Sequence, residues 1–187
     1  MAGKMLDDNA MNALFREART YTAWQDRGVE DSLLEKIYDL MKFGPTSANC
    51  NPVRFVFIKS KEAKERLKPY IAAGNVEKTM TAPVTAIIGH DLAFYEHLPV
   101  LFPHVDAKSW FVGNDALVNA TAFRNGSLQG AYFMLAARAM GLDCGAMSGF
   151  DADGVQKEFF AGTSVVPNFL CNLGYGDGSK LHPRGPR

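Results

Sequence analysis

Helical and strand patterns alternate along the 187 residues, which predicts a layered α/β or α+β domain. Three observations carry that prediction. Apolar runs of strand length, FVFI and VTAII, are separated by stretches with helical periodicity. No internal repeat or low-complexity linker divides the chain, so residues 1–187 read as one domain. A hydrophobic content of 47% over this length suffices for a sizeable core.

The elements follow in order. Met11, Leu14, Phe15 and Ala18 have the spacing of a first amphipathic helix. A second is signalled by Ser32 and Glu35 at capping-box spacing, followed by Leu33, Leu34, Ile37, Tyr38, Leu40 and Met41. It stops at Gly44 and Pro45. Residues 55–58 read as a buried strand, with a helix from about residue 61 disturbed at Pro69 and a second strand over 84–88. Five aromatics lie between residues 90 and 113, as a lid or as plain packing, and packing is the reading taken. A long helix runs from Asp115 to Ala139, about 40 Å at ~1.5 Å per residue, and stops at Gly141. Gly126 and Gly130 mark a kink or a close helix–helix crossing within it. A strand over 144–147, a helix over 152–160, a strand over 168–173 and a basic, irregular tail complete the chain.

Composition excludes several classes. Twenty basic and twenty acidic residues give zero formal charge, without the surplus of a general nucleic-acid binder. No apolar run approaches the ~20 residues that span a bilayer. The first residues, MAGKMLDDNAMNALF, lack the apolar core of a secretory signal, so secretion is not expected. Cys50, Cys144 and Cys171 are odd in number and far apart with no CxxC, which points to reduced thiols in the cytoplasm. The four histidines have no metal-binding spacing, and no metal is expected. GYGDGSK is not a Walker loop, because its lysine leads into a proline-rich tail instead of a helix. The glycines at 141, 145 and 149 do not spell GxGxxG either.

Four segments carry the chemistry. In GPTSANCNPVRF (44–55), Thr46, Ser47, Asn49 and Asn51 crowd a helix-to-strand connection, and their hydroxyls and amides both donate and accept hydrogen bonds. That suits a flat heterocycle with alternating N–H and C=O edges; taken alone, the same residue types equally stabilise a turn. Asn75 and Lys78 in GNVEK share a helical face, and an ammonium there could stabilise charge on such a ring, or could simply face water. GAMSGFD offers a glycine-flanked loop that a planar ring can approach, or an ordinary strand-to-helix turn. Arg19, Lys180, Arg184 and Arg187 are cations for a phosphate, or solvated charges.

In combination and order, these segments resemble the nitroreductase-like FMN family. ARTYTAW is similar to its N-terminal Arg–Ser motif, and GPTSANCNPVRF to its Pro-Ser-Ser-x-Asn-x-Gln-Pro-Trp-x-Phe. GNVEK is similar to its Asn-x-x-Lys, and AMSGFD to its Pro-x-Glu-Gly-Phe-Asp. The likeness covers nearly the whole chain. It implies an α+β sandwich with a central mixed sheet flanked by helices, homodimeric, with FMN at the interface and NADH or NADPH as donor. Arg19 and Thr20 would then meet the phosphate end or flavin edge, with Lys180, Arg184 and Arg187 at the phosphate. Thr46, Ser47, Asn49 and Asn51 would line the flavin, some of them across the dimer interface. Asn75 and Lys78 would face its N1/O2 edge, and Met147, Ser148 and Gly149 would run beside the ring.

The departures from the family pattern are Ala18 for a first arginine, Thr22 for a cation, Asn51 for Gln, Val53 for Trp and Ser148 for an acidic residue. Many members also continue past the position of Arg187 into a segment that wraps around the partner. ARTYTAW, LFPHVDAKSWF, AFRNGSLQGAY and GYGDGSKL are similar to the malonic semialdehyde reductase branch, which implies reduction of that aldehyde to 3-hydroxypropionate. Arg54 and Arg124 are candidate carboxylate contacts, with structural ion pairing the heavier reading for both. The alternatives are a broad nitroaromatic or quinone reductase and a flavin storage or sensor protein without turnover. Cys50 is read as an incidental thiol, because nothing in the sequence sets a histidine beside it.

Overall fold

The computed structural model of the chain describes residues 3–186. Four strands form its sheet: β1 (Val53–Ile58), β2 (Val84–Asp91), β3 (Asp143–Met147) and β4 (Val165–Gly174). They lie in the order β1-β2-β4-β3, so β1 and β3 are the two edges. Every neighbouring pair is antiparallel, so the sheet is not the mixed one expected. For β1 and β2 the connection accounts for the direction. Between β1 and β2 stand two helices, α3 (Lys61–Leu67) and α4 (Ala73–Thr81), and the extra reversal returns the chain antiparallel to β1. Parallel pairing survives as an isolated bridge from Thr20 to Cys144.

β2 is buried at all eight residues, which explains why VTAII shows no alternation. One face of the sheet packs on α2 (Asp31–Met41) and α6 (Asp115–Ala139), burying Ile37, Met41, Ile88, Phe133, Ala137 and Leu173 together. The other face packs on α3, α4 and α7 (Ala152–Phe159) through Ile58, Leu67, Ile87, Val155 and Leu170. A third cluster, with Cys50, Phe94, Leu98 and Phe111, fills the 94–113 region, where short turns and the four-residue α5 (Leu98–Leu101) replace any long element. The packing reading therefore holds for Phe94 and Phe111, while Trp110 stays exposed.

α6 has the predicted limits because Asn114 caps its start, accepting from Leu117 N, and Gly141 adopts φ +82° just beyond its end. Its glycines mark neither a kink nor a helix–helix crossing. A Cβ at Gly126 would lie 2.8 Å from His90 Cβ, and one at Gly130 2.5 Å from the Phe169 ring, so the close approach is helix on sheet. The outward face of α6 leaves Leu117, Phe123, Leu128 and Tyr132 exposed.

Two local expectations fail. α2 begins at Asp31 with Glu30 at its N-cap and no side-chain cap, so Ser32 and Glu35 lie inside the helix and form no capping box. Burial of Val29 brings the chain into the core one step earlier than the box would allow. The first helix is α1 (Asp8–Met11) continuing as a π-turn over Asn12–Arg16, with no buried residue in either piece. Of its apolar stripe, Met11, Leu14 and Ala18 are half-buried, while Phe15 is exposed.

Candidate functional site

The residues singled out in the sequence form two groups, one around α4 on a face of the sheet and one in the loop that enters β1. The first gathers around α4. Asn75 projects from it and its amide donates to Gly149 O (2.9 Å), while Ala72 N donates to the same carbonyl (3.1 Å). Gly149 has to be glycine for this contact, since a Cβ would sit 2.6 Å from Asn75 Nδ2. Met147 is buried with its sulfur accepting from Thr79 Oγ1 at 3.5 Å, and Ser148 is exposed. What residues 147–149 offer a ligand is therefore backbone and a serine, with the methionine side chain turned into the core.

Lys78 lines a polar cavity of about 360 Å³ with Thr22, Trp24, Gly74 and Lys180. Its carbonyl accepts from Trp24 Nε1 (3.0 Å) and Asn172 Nδ2 (3.1 Å), so two side chains hold its backbone in place. Neither Lys78 nor Lys180 has a carboxylate within ion-pair distance among the described residues. Two cations against the one carboxylate of Glu77 leave the hollow net positive, which suits an anion. The 19–24 segment is tied to the β3 edge by the Thr20 bridge and by Tyr21 N donating to Cys144 O (3.0 Å). The tail folds onto it: Arg19 donates to the His182 carbonyl and Arg184 to Ala18 O (2.7 Å). Arg187 lies outside the described residues.

The second group is the 44–52 loop before β1. Ala48, Asn49 and Asn51 have φ of +49°, +50° and +40°, a left-handed path for which asparagine is among the better-suited residues. Thr46 Oγ1 accepts from Asn51 N (3.2 Å), and Asn51 Nδ2 donates to Asn49 O (2.7 Å). Two residues of α6 that sequence reasoning missed complete the loop. Asn125 Oδ1 accepts from Ser47 N (2.9 Å); Gln129 accepts from Val53 N and donates to Asn51 Oδ1, both at 3.0 Å. Their signal was two amides four residues apart in an apolar helix, each just before a glycine that touches the sheet. A cavity of about 560 Å³ opens here, lined by Asn49, Asn51, Arg54, Gln129, Lys42 and His97.

Arg54 pairs with Asp91 (2.7 Å) and donates to Asn51 O and Val53 O, the structural engagement weighed for it from sequence. Arg124 lies elsewhere, on the outward face of α6 beside Phe123, Ser127 and Leu128. Cys50 is fully buried and desolvation pushes its thiol up to about 11, so it is protonated at neutral pH and no nucleophile.

The two groups do not meet within one chain. Val56, Ile87, Leu170 and Met147 form one row across the sheet. Three strand spacings therefore separate the edges, roughly 14 Å at ~4.8 Å each. The cavities at Lys78 and at Asn51 share no lining residue.

Comparison with known proteins places this geometry in context. Residues 16–175 match the model of the nitroreductase family. A protein of Burkholderia lata, provisionally named NADH dehydrogenase/NAD(P)H nitroreductase, is 64% identical over 182 residues, covering 97% of this chain and 93% of its own length. A similarly named protein of Polynucleobacter asymbioticus is 61% identical over 183 residues, covering 98% and 93%. Among solved structures, a provisionally named nitroreductase from Exiguobacterium sibiricum in complex with FMN superposes with a TM-score of 0.83 at 22% identity, covering 100% of this chain and 96% of that one.

Proposed function

The chain belongs to the nitroreductase family, and from that premise we propose that it is an FMN-dependent NAD(P)H oxidoreductase working as a homodimer. The observation that carries this reading is the split site: two polar half-sites in separate cavities that share no lining residue. A two-fold partner would bring the Asn51 half of one chain to the Lys78 half of the other. The exposed apolar face of α6 and the exposed Phe15 are the surfaces such a partner would bury.

The residues fit the cofactor. Gly149 lets Asn75 sit close against the 147–149 backbone, and the amides of Asn75 and Asn51 supply edge contacts. Lys78 supplies positive charge at the N1/O2 edge, with Lys180, Arg184 and Arg19 nearby for the phosphate, and Arg187 is proposed to join them. Thr20, Thr46, Ser47, Asn49, Met147 and Ser148 complete the proposed lining. FMN, when bound, would supply two-electron redox chemistry between NADH or NADPH and the substrate. The chain's own part is to orient, to hold charge and to exclude water, with no side-chain nucleophile.

For the substrate we favour malonic semialdehyde: aldehyde, NAD(P)H and a proton give 3-hydroxypropionate and NAD(P)+. Support comes from the 560 Å³ cavity, a space suited to a small carboxylate, which Arg54 and Lys42 line while paired with Asp91 and Asp39. A broad quinone or nitroaromatic reductase is the second reading, favoured by the apolar wall of Met41, Val53, Val100 and Leu101 in the same cavity. A cytoplasmic location fits three free, buried cysteines, and no helix among the described residues is long and apolar enough to cross a membrane.

A yellow preparation that releases FMN on heating is expected, together with rapid bleaching on mixing with NADH or NADPH. Protein that takes up no FMN overturns the reading, and slow bleaching with both donors favours a storage or sensor role. A higher kcat/KM on the aldehyde than on a quinone separates the two substrate readings.

A further inference from the structure

We propose that Lys64, which touches neither cavity, is the positioning residue that fixes the backbone of Lys78 and the face of α4 that carries it. The inference rests on the flavin reading above only for its functional consequence. KEAKERL looks like a solvated helix, yet Lys64 is 4% exposed on the side of α3 turned to the sheet. Its ammonium has three donors and all three are used: Thr79 O (2.6 Å), Ala82 O (2.7 Å) and Thr85 Oγ1 (3.0 Å). No carboxylate pairs with it among the described residues.

The first two bonds close the end of α4. Thr79 and Ala82 bracket its last turn, where carbonyls lack intrahelical partners and the helix presents its negative end. α4 has nine residues and no side-chain cap at its start, so this lysine is a large part of what anchors it.

The third bond sets a direction. An ammonium can only donate, so the Thr85 oxygen must accept from it and send its own proton to Asn172 Oδ1 (2.7 Å). That turns the Asn172 amide so that Nδ2 faces Lys78 O (3.1 Å), the carbonyl that Trp24 also grips. Lys64 thus reaches Lys78 twice, through the end of its helix and through Thr85 and Asn172. Thr85 and Asn172 are fully buried, so the relay has no competing water. Keeping a charge here is opposed by desolvation, which lowers the lysine to about 8. A methionine of similar length would fill the space without that opposition. The function of the charge is orientation.

The test is a double-mutant cycle read by FMN affinity. Wild type, Lys64→Met, Lys78→Met and the double variant are freed of flavin and titrated with FMN, following flavin fluorescence. Lys64→Met is expected to weaken binding about tenfold in the wild-type background and less than about twofold in the Lys78→Met background, because its effect passes through Lys78. Equal weakening in both backgrounds overturns the proposal, as that is what general destabilisation gives. If Lys64→Met does not fold, Thr85→Val cuts only the Asn172 branch and enters the same cycle with the same expectation. If wild type binds no FMN, the flavin reading is what fails. Backbone hydrogen exchange then decides for Lys64 alone: lost protection concentrated in α4 supports it, and uniform loss across the sheet overturns it.

Discussion

Replacing Gly149 with alanine tests whether Asn75 serves the ligand or only the fold. The new methyl carbon would lie 2.6 Å from Asn75 Nδ2 and 3.3 Å from Ala72 Cβ. The amide is the far end of a half-buried side chain, so it can rotate away and needs no backbone shift. It then loses its 2.9 Å bond to Gly149 O, which removes about 1 kcal/mol of stability since water can partly replace the partner. For a domain of this size that is a fall of roughly 3 °C in Tm. If Asn75 also donates to the flavin edge, its displacement weakens FMN by about 1.4 kcal/mol, or roughly tenfold in Kd. Thermal unfolding without FMN reads the first quantity and an FMN titration reads the second. A lowered Tm with unchanged FMN affinity would refute the placement of Asn75 at the ring.

Three further outcomes follow from the geometry. Burial depresses Lys64 to about 8 against 10.5 for an exposed lysine, so between these values the unfolded chain binds more protons and stability rises with pH. The difference in unfolding free energy between wild type and Lys64→Met should therefore grow by on the order of 3 kcal/mol from about pH 7.5 to about pH 10.5, and a flat difference contradicts the buried site. Cys50, Cys144 and Cys171 are all free and buried, so the native protein should react with a thiol reagent only as fast as it unfolds; a fast phase of one equivalent would contradict that burial. Arg54→Ala should raise KM for malonic semialdehyde by about tenfold or more and leave a neutral quinone nearly unaffected, while Arg124→Ala, away from that cavity, leaves both within about twofold. Equal losses on both substrates for Arg54→Ala would assign it to the Asp91 ion pair alone.

Much of the fold was legible in local pattern. β2, β4 and α6 were visible because their signals are strong and local: an apolar run for each strand, an apolar-rich pattern and a glycine stop for the helix. The capping box at Ser32 and Glu35 misled because burial of Val29 outweighed a local hydrogen-bond pair. The mixed sheet failed because apolar pattern does not encode strand direction: β1 and β2 pair antiparallel across two helices, and β3 and β4 pair antiparallel across one. At the site, the residue types of the 44–51 loop and of GNVEK were readable, yet their separation across the sheet was not. Asn125, Gln129 and Lys64 were invisible for one shared reason. A polar side chain in a helix reads as facing water until tertiary packing turns it inward, and all three are buried.

The central claim, that each site is built from two chains, is tested most directly by subunit complementation. Lys78→Met spoils one half-site and Asn51→Leu the other, so each homodimer carries two broken sites. A mixed dimer concentrates both lesions in one site and leaves the other intact. Mixing the two variants at equal amounts through a reversible dissociation step should restore about a quarter of wild-type FMN-dependent NAD(P)H oxidation, since about half the dimers are mixed and each has one good site of two. No recovery above the separate variants, with mixed dimers confirmed by mass, would mean that both half-sites serve one chain and that the account is wrong.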